Sequence, residues 1–375
     1  TSTETLLGAR SNLFSETPEH ARQLKLEKPI ITNRQLAQIK ELNQNDMRSK
    51  VIDTTIEIND QLLSSTGFLK ASLDRIQAEA EKAVDEQYTI LILSDRSQNE
   101  THTAIPMLLA VGAVHHHLIR TNRRTQCDIV VETGDAREVH HFATLIGYGT
   151  GAINPYLAYE SLHQLRDENV VNSEWDDATV DDRYIEAVDK GIIKVMSKMG
   201  ISTVSSYRGA QIFEAVGLGK ELVDSYFTNT PSRIGGISLS ELEADIIQNH
   251  NHAYPARNIP STTGLKVGGN YHWRRDGEFH MFNPQTIALL QEASSRNDQT
   301  KYQEFSRLID DESRDRCTIR GLLDFKDSSP IPIDEVEPAD EIVTRFATGA
   351  ISFGSISKEA HETLAIAMNR IGAKS

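Results

Sequence analysis

Cysteine is nearly absent from this sequence. Cys127 and Cys317 are the only two, far apart and outside any CxxC or CxxxC spacing. That leaves no iron–sulfur or structural zinc site to be built from this chain's own thiols, and two free thiols in a reducing compartment is the simpler reading. Positive charge is also scarce: 39 Lys and Arg face 54 Asp and Glu, for a formal charge of −15. Such a field repels polyanions, so no nucleic-acid partner is expected. No apolar run approaches bilayer length, and Thr1-Ser2-Thr3-Glu4 lacks the basic and apolar regions of a signal peptide. The expectation is a cytoplasmic protein with no membrane partner, or a plastid one if the source is a plant or alga.

What is present is alternation. The 375 residues exceed an average single domain, so one large domain with accessory pieces is expected. From Val51 onward short β-branched runs alternate with longer amphipathic ones, the pattern of parallel β-α units. About four such units are legible. Positions 51–58 read as a strand, and 67–86 place Leu69, Leu73, Ile76, Ala80 and Ala83 on one helical face. The apolar run 88–93 reads as a strand buried on both faces, followed by a largely buried helix over 103–121. Next come a strand over 128–131, a tight loop Glu132-Thr133-Gly134-Asp135, a helix over 136–147 capped by Asp135, and a strand over 151–154.

The acidic stretch 167–182 reads as a surface loop, its Asp181-Asp182 capping a helix that carries Ile185, Val188, Ile192, Val195 and Met199. A strand over 201–205, a loop at Ser206-Tyr207-Arg208-Gly209 and a short helix over 210–216 end the alternation. Farther on, 266–282 reads as two strands about Arg275-Asp276-Gly277. Asn283-Pro284 reads as an N-cap with proline at the first helical position. The proline-rich stretch 328–338 reads as an extended connector. Four segments follow: a lead-in over 1–50, a main domain over 51–327, a connector over 328–341 and the opening of a second domain over 342–375. The two ends look cut from a longer polypeptide.

Few residues invite a chemical reading. His115-His116-His117 project roughly 100° apart on a helix and cannot close on one ion, so packing is the better account of His115. His140-His141 meets the same objection, His250 and His252 are weakly placed for chelation, and no metal is assigned. Asp95, Arg96, Glu132, Asn154 and Arg208 each follow a strand, where barrel enzymes keep their chemistry. No nucleophile-base set or spaced carboxylate pair accompanies them, so loop caps and ion pairs are favoured and no catalytic residue is assigned. A phosphate cradle needs clustered glycines before a helix. Glu132-Thr133-Gly134-Asp135 offers one glycine and two carboxylates, and Gly235-Gly236 and Gly268-Gly269 read as turns. The stretch from Gly349 to Ser357 differs: small residues end a short apolar strand and Ser357 opens a helix, so a planar cofactor could approach the backbone.

At these residues the sequence resembles the glutamate synthase family. Arg345-Phe346, the run 351–357 and Lys358-Glu359-Ala360-His361-Glu362 look like the opening of its FMN-binding synthase domain. The stretch 13–24 with Glu16-Thr17-Pro18-Glu19-His20, and 91–96, 104–120, 132–155 and 198–218, are similar to its central domain. The resemblance implies an α/β fold: parallel β-α units in a degenerate, incomplete FMN-barrel-like central domain, with an extra hairpin and helices. It implies a non-catalytic module that links glutaminase and FMN synthase domains of one polypeptide and helps form an ammonia tunnel.

The parent would make glutamate from glutamine and 2-oxoglutarate using FMN and an iron–sulfur cluster. It would be of the ferredoxin-dependent type, with ferredoxin or an NAD(P)H-oxidising subunit as electron partner. This chain alone is expected to bind no cofactor. Gly349, Ala350, Ile351 and Ser352 would touch FMN in the full-length enzyme, and Cys127 and Cys317 inherit no role. Two rivals are an independent flavin- or phosphate-binding β/α enzyme and a free-standing interaction protein using its acidic face.

Overall fold

The computed structural model describes residues 1–12, 14–44, 47–59, 67–255, 267–312, 318–349 and 351–375. The chain divides into two compact units, Thr1–Ile259 and Pro260–Ser375. Among the described residues no helix is long and apolar enough to cross a membrane.

The first unit is built on a parallel sheet. Two short antiparallel strands, β1 (Thr5–Leu7) and β2 (Leu24–Leu26), precede helix α1 (Asn33–Lys40). There follow β3 (Asn43–Gln44), β4 (Met47–Asp53), β5 (Thr55–Glu57), α2 (Phe68–Asp85), β6 (Ile90–Ser94), β7 (His102–Ala104), α3 (Met107–Arg120), β8 (Asp128–Glu132), α4 (Val139–Gly147) and β9 (Thr150–Asn154). The main sheet has the order β3-β4-β6-β8-β9, with β4, β6, β8 and β9 all parallel. Strands β5 and β7 form a separate antiparallel pair.

Side-chain alternation divides the apolar strands between two cores. Leu91, Leu93, Ile129, Val131 and Ile153 face α2, α3 and α4 through Leu73, Ile76, Val111, Val114, Phe142 and Ile146. Ile90, Ile92, Val130 and Ala152 face the other way, against Leu7, Leu26, Ile31, Leu36 and Ile39. The edge beyond β9 is closed by Ile31, whose N–H donates to Ile153 O, and by Pro29, whose carbonyl accepts from Ile153 N–H.

Several expected elements take another form. The helix expected from 136 starts at Val139, with Glu138 rather than Asp135 as its cap; the Asp135 carboxylate instead accepts from Met107 N–H at 2.9 Å and holds the start of α3. The stretch after Pro155 is helical, α5 (Tyr156–Asp167), because proline fits a helix start. Helix α6 (Asp177–Lys198) is capped by Asp176, not by Asp181 or Asp182. Positions 201–203 make only one bridge, Thr203 to Ser2, and Val204–Tyr207 is a short helix, α7.

Positions 210–214 are not helical; Ala215–Leu218 is strand β10. It precedes α8 (Lys220–Tyr226) and pairs in parallel with β11 (Ser232–Ile237), so Gly235 and Gly236 lie within a strand. Gly112 lets α3 approach α8: an added Cβ would stand 2.5 Å from the Tyr226 carbonyl oxygen.

In the second unit, Asn283 caps α10 (Pro284–Arg296), with Pro284 at the first position as expected. Helix α11 (Gln299–Glu312) follows. The expected strands about Arg275-Asp276-Gly277 are absent among the described residues, although Asp276 takes φ 62° in a turn closed by Gly277 N–H to Arg274 O. Within the connector a single 3-10 turn forms, Ile333–Glu335. Helices α12 (Ala339–Val343) and α13 (Lys358–Arg370) follow. Ser357 caps α13 through Ala360 N–H at 3.2 Å, and the segment after it returns to pair Lys374 with Ala347. Among the described residues no strand forms around 349–352: Gly349, Ile351 and Ser352 are coil, and Ala350 lies outside the described residues, as do Cys317 and Leu13.

Helix α2 is capped from a distance. Its N-cap Gly67 has no side chain to offer, and the Glu243 carboxylate from helix α9 (Leu239–Ala253) accepts from Gly67 N–H at 3.0 Å and Leu69 N–H at 2.8 Å. Glu243 is buried, and a carboxylate at a helix N-terminus satisfies orphan donors and the dipole together. Glu243→Ala is expected to cost about 2 kcal/mol in denaturant unfolding, and Glu243→Gln less, because one acceptor oxygen remains. Equal stability of all three proteins would show that the cap carries no weight.

Candidate functional site

Parallel strands deliver their C-terminal ends to one rim, and there Ser94, Asp95, Glu132, Thr133, Gly134, Asn154 and Tyr156 meet. Asp95 is buried immediately after β6. Its carboxylate accepts from Thr133 Oγ1 at 2.6 Å and from Gly134 N–H at 3.0 Å, and it also bonds the Tyr156 hydroxyl. Burial pushes Asp95 up to about 6 from an ordinary 3.8, against the pull of these hydrogen bonds and with a further push from Asp135. Burial, and then the Asp95 charge, hold the Tyr156 phenol well above its usual range. The Arg96 guanidinium lies 4.2 Å from the Tyr156 ring centroid and pairs with Glu160 at 2.7 Å.

Glu132 is engaged as well. Its Oε2 accepts from Ser94 Oγ at 2.6 Å and from Lys40 Nζ, at the end of α1, at 2.7 Å. Asn154 donates through Nδ2 to Ile31 O at 3.1 Å and to Asn33 Oδ1 at 3.0 Å, and its own Oδ1 is buried without a protein partner. The rim therefore holds two carboxylates and an amide, each bonded to neighbouring protein groups.

Arg208 is not part of this rim. It pairs through Nη1 with Asp128 Oδ1 at 2.7 Å, and Asp128 opens β8, at the opposite end of the sheet. The reason is local: with no strand at 201–205, residue 208 is not carried to a strand C-terminus. The histidines fall into separate roles. His115 Nδ1 accepts from Arg124 Nε at 2.9 Å, and burial, followed by the Arg124 charge, lowers it to about 2. His117 meets Glu81 at 2.7 Å, and His250 bonds the Asn99 carbonyl at 3.0 Å. Cys127 is a buried free thiol that burial raises to about 11, which fits core packing and not a cluster ligand.

Sequence reasoning overlooked Tyr156, Lys40 and Thr133. Tyr156 had a usable signal, since it lies two residues past the end of β9 as Arg96 lies two past the end of β6; Lys40 comes from an element outside the β-α repeat and had none.

The shift at Asp95 makes stability pH-dependent with a definite sign. A carboxyl whose folded value is raised binds more protons folded than unfolded between about 4 and 6, so its burial destabilises above that window and the penalty fades as pH falls through it. Relative to Asp95→Asn, which cannot ionise, the unsubstituted chain should gain about 2 kcal/mol between pH 7 and pH 4.5. Parallel unfolding titrations of the two proteins check this; a constant difference across the window would refute the buried, raised carboxyl.

Comparison with known proteins identifies the family. The family described as "Glutamate synthase central domain" matches residues 1–219, and "Conserved region in glutamate synthase" matches 280–375. The large chain of NADPH glutamate synthase from Bacillus subtilis is 45% identical over all of this chain and 24% of its own length. The NADH enzyme of Saccharomyces cerevisiae is 41% identical over all of this chain and 18% of its own. A chloroplastic ferredoxin-dependent enzyme of Arabidopsis thaliana is 40% identical over all of this chain and 23% of its own. The chain thus spans a quarter or less of the length of these relatives. Among solved structures, the flavin-binding domain of baker's yeast flavocytochrome b2 overlaps 45% of this chain and 37% of its own at 14% identity, with a TM-score of 0.29, too loose a likeness to define a fold. With a central-domain match over more than half of its residues and relatives alike along its whole length, the chain belongs to the glutamate synthase family.

Proposed function

We propose that this chain is the non-catalytic central module of a glutamate synthase together with the opening of its flavin-binding domain. The module keeps glutaminase and synthase domains in register and lends surface to the ammonia path. The parent makes glutamate from glutamine and 2-oxoglutarate, with FMN and an iron–sulfur cluster as cofactors and ferredoxin or an NAD(P)H-oxidising subunit as electron source. It works in the cytoplasm, or in a plastid where the source is a plant or alga. The main sheet is read as a degenerate relative of the flavin barrel, with parallel strands that stop far short of closure.

One observation carries the non-catalytic reading: both rim carboxylates and the backbone donor between them are engaged by the protein itself, with Asn154 Oδ1 the rim atom left over. Gly134 N–H, the backbone donor nearest a phosphate-cradle position, is held by the Asp95 carboxylate. Glu132 is held by Ser94 and Lys40. An anion arriving there would face two carboxylates and lose to a donor set already satisfied.

The second unit supports the flavin-domain reading. Gly349 leaves open space where a side chain would stand, and Ile351, Phe353 and Phe346 are exposed in coil and turn, an apolar surface that other barrel elements would cover. We assign Gly349, Ile351 and Ser352, with Ala350 between them, to the backbone against which the FMN ring would rest. Bound FMN would supply hydride transfer; these residues would supply a flat, uncharged surface. Cys127 does not fit a cluster, being buried with no other cysteine near it among the described residues.

In the full-length enzyme, Gly349→Val should lower flavin content per protein severalfold, read by absorbance after gel filtration; full retention would remove the assignment. The isolated chain should leave the fluorescence of micromolar FMN unquenched, and quenching would favour an independent flavin enzyme. Loosening the module with Glu243→Ala in the full-length enzyme should leave glutamine hydrolysis intact while raising ammonia released per glutamate formed. An unchanged ratio would count against a coupling role.

A further inference from the structure

The N-terminal end of the sheet carries a charge arrangement opposite to that of the protein as a whole. Arg10, Arg124 and Arg208, with His115, Asp128, Thr125, Gly149 and Ser205, surround a cavity of about 140 Å³. A water occupies about 30 Å³ of liquid, so this space accommodates a tetrahedral oxyanion or a small carboxylate. Three guanidiniums face a single carboxylate, and burial keeps His115 uncharged. Three positive charges less one negative leave two positive charges uncompensated, in a chain whose formal charge is −15.

The three arginines differ in what they have already spent. Arg124 is bonded at all three nitrogens: Nε donates to His115, Nη1 to Cys127 O at 2.7 Å and Nη2 to Gly149 O at 2.7 Å. It lies 3.6 Å from Asp128. Arg208 gives Nη1 to Asp128, but its side chain is only 7% exposed and its Nε is buried with no hydrogen-bond partner. An orphaned guanidinium N–H at that depth is costly. Arg10 makes no side-chain hydrogen bond or ion pair among the described residues, while its backbone N–H is fixed to Thr125 O at 2.8 Å. Desolvation, then repulsion from Arg208, hold its guanidinium below the ordinary value. Asp128 cannot serve all three, since its other oxygen accepts from Gly8 N–H at 3.3 Å.

We propose that this cavity is a binding site for a small free oxyanion, of the phosphate or small-carboxylate class, clamped between Arg10 and Arg208. Guanidinium forks match such groups and form charge-assisted hydrogen bonds with them. An anion there would supply Arg10 with its missing counter-charge and relieve the repulsion between Arg10 and Arg208. Arg124, its three nitrogens already tied to protein groups, shapes the wall and adds field. This site lies at the end of the sheet away from Asp95 and Glu132, and it does not depend on the coupling role proposed above.

The test uses inorganic phosphate with this chain. Calorimetric titration, and thermal unfolding against chloride at matched ionic strength, should show one site with a Kd of about 1 mM or tighter and a raised midpoint. Arg10→Gln breaks no bond within the described protein, so it should fold normally and weaken phosphate roughly tenfold, about 1.4 kcal/mol. Sulfate should compete. Absence of both heat and midpoint shift for the unsubstituted chain would overturn the proposal, as would binding that Arg10→Gln leaves unchanged.

Discussion

The structure depends on burying both faces of the parallel strands. β6 and β8 have no exposed residue along their length, so neither strand can carry a charge in its middle, and polar groups are driven to the two ends of the sheet. Each end then has to settle its own electrostatics. At the C-terminal end carboxylates dominate and are satisfied by hydroxyls, a lysine and backbone N–H groups. At the N-terminal end arginines dominate, and one carboxylate is not enough for them.

The C-terminal end shows how a site can be closed by its own chain. In a phosphate-binding β-α loop, backbone donors point at solvent and wait for an anion. Here Asp95 crosses from the end of β6 to the loop after β8 and takes that role from within, bonded to Gly134 N–H and Thr133 Oγ1. Its elevation to about 6 measures what that internal anion costs. The same carboxylate ties two loops together and occupies the backbone donor that a phosphate-binding loop would offer to an anion.

The legibility of the sequence follows the same physics. Apolar runs bounded by polar loops located β6, β8 and β9 to within two residues, because a strand buried on both faces leaves no other reading for them. The amphipathic face of α2 was equally plain, since Leu69, Leu73, Ile76 and Ala80 all enter the core. Where burial weakened, pattern misled. Ile201-Ser202-Thr203-Val204 has strand-like composition, yet the sheet already ends at β9, whose outer edge residues 29–31 occupy. No edge remained for another strand, and Arg208, placed by analogy with Asp95 and Glu132, went to the other end. Caps failed for a related reason: Asp135, Asp181 and Asp182 all look like N-caps in sequence, but which carboxylate reaches an orphan N–H is decided by tertiary approach, as Glu243 at α2 demonstrates.

That competition for edges and ends explains the weight carried by residues 1–40, which stand outside the β-α repeat. At one end of the sheet, Gly8 N–H reaches Asp128 and Arg10 N–H reaches Thr125 O. At the other, Lys40 holds Glu132, and Asn33 with the Ile31 carbonyl holds Asn154. Between them Leu7, Ile31, Leu36 and Ile39 cover the face that α2, α3 and α4 leave bare. A segment that covers one face and ties both ends is a brace, and its seating is linked to the charge state of the ends it ties. Among the described residues the Arg10 side chain has no hydrogen-bond or ion-pair partner, so an anion that neutralises it would stabilise the seated segment by mass action, and through that segment the sheet it braces.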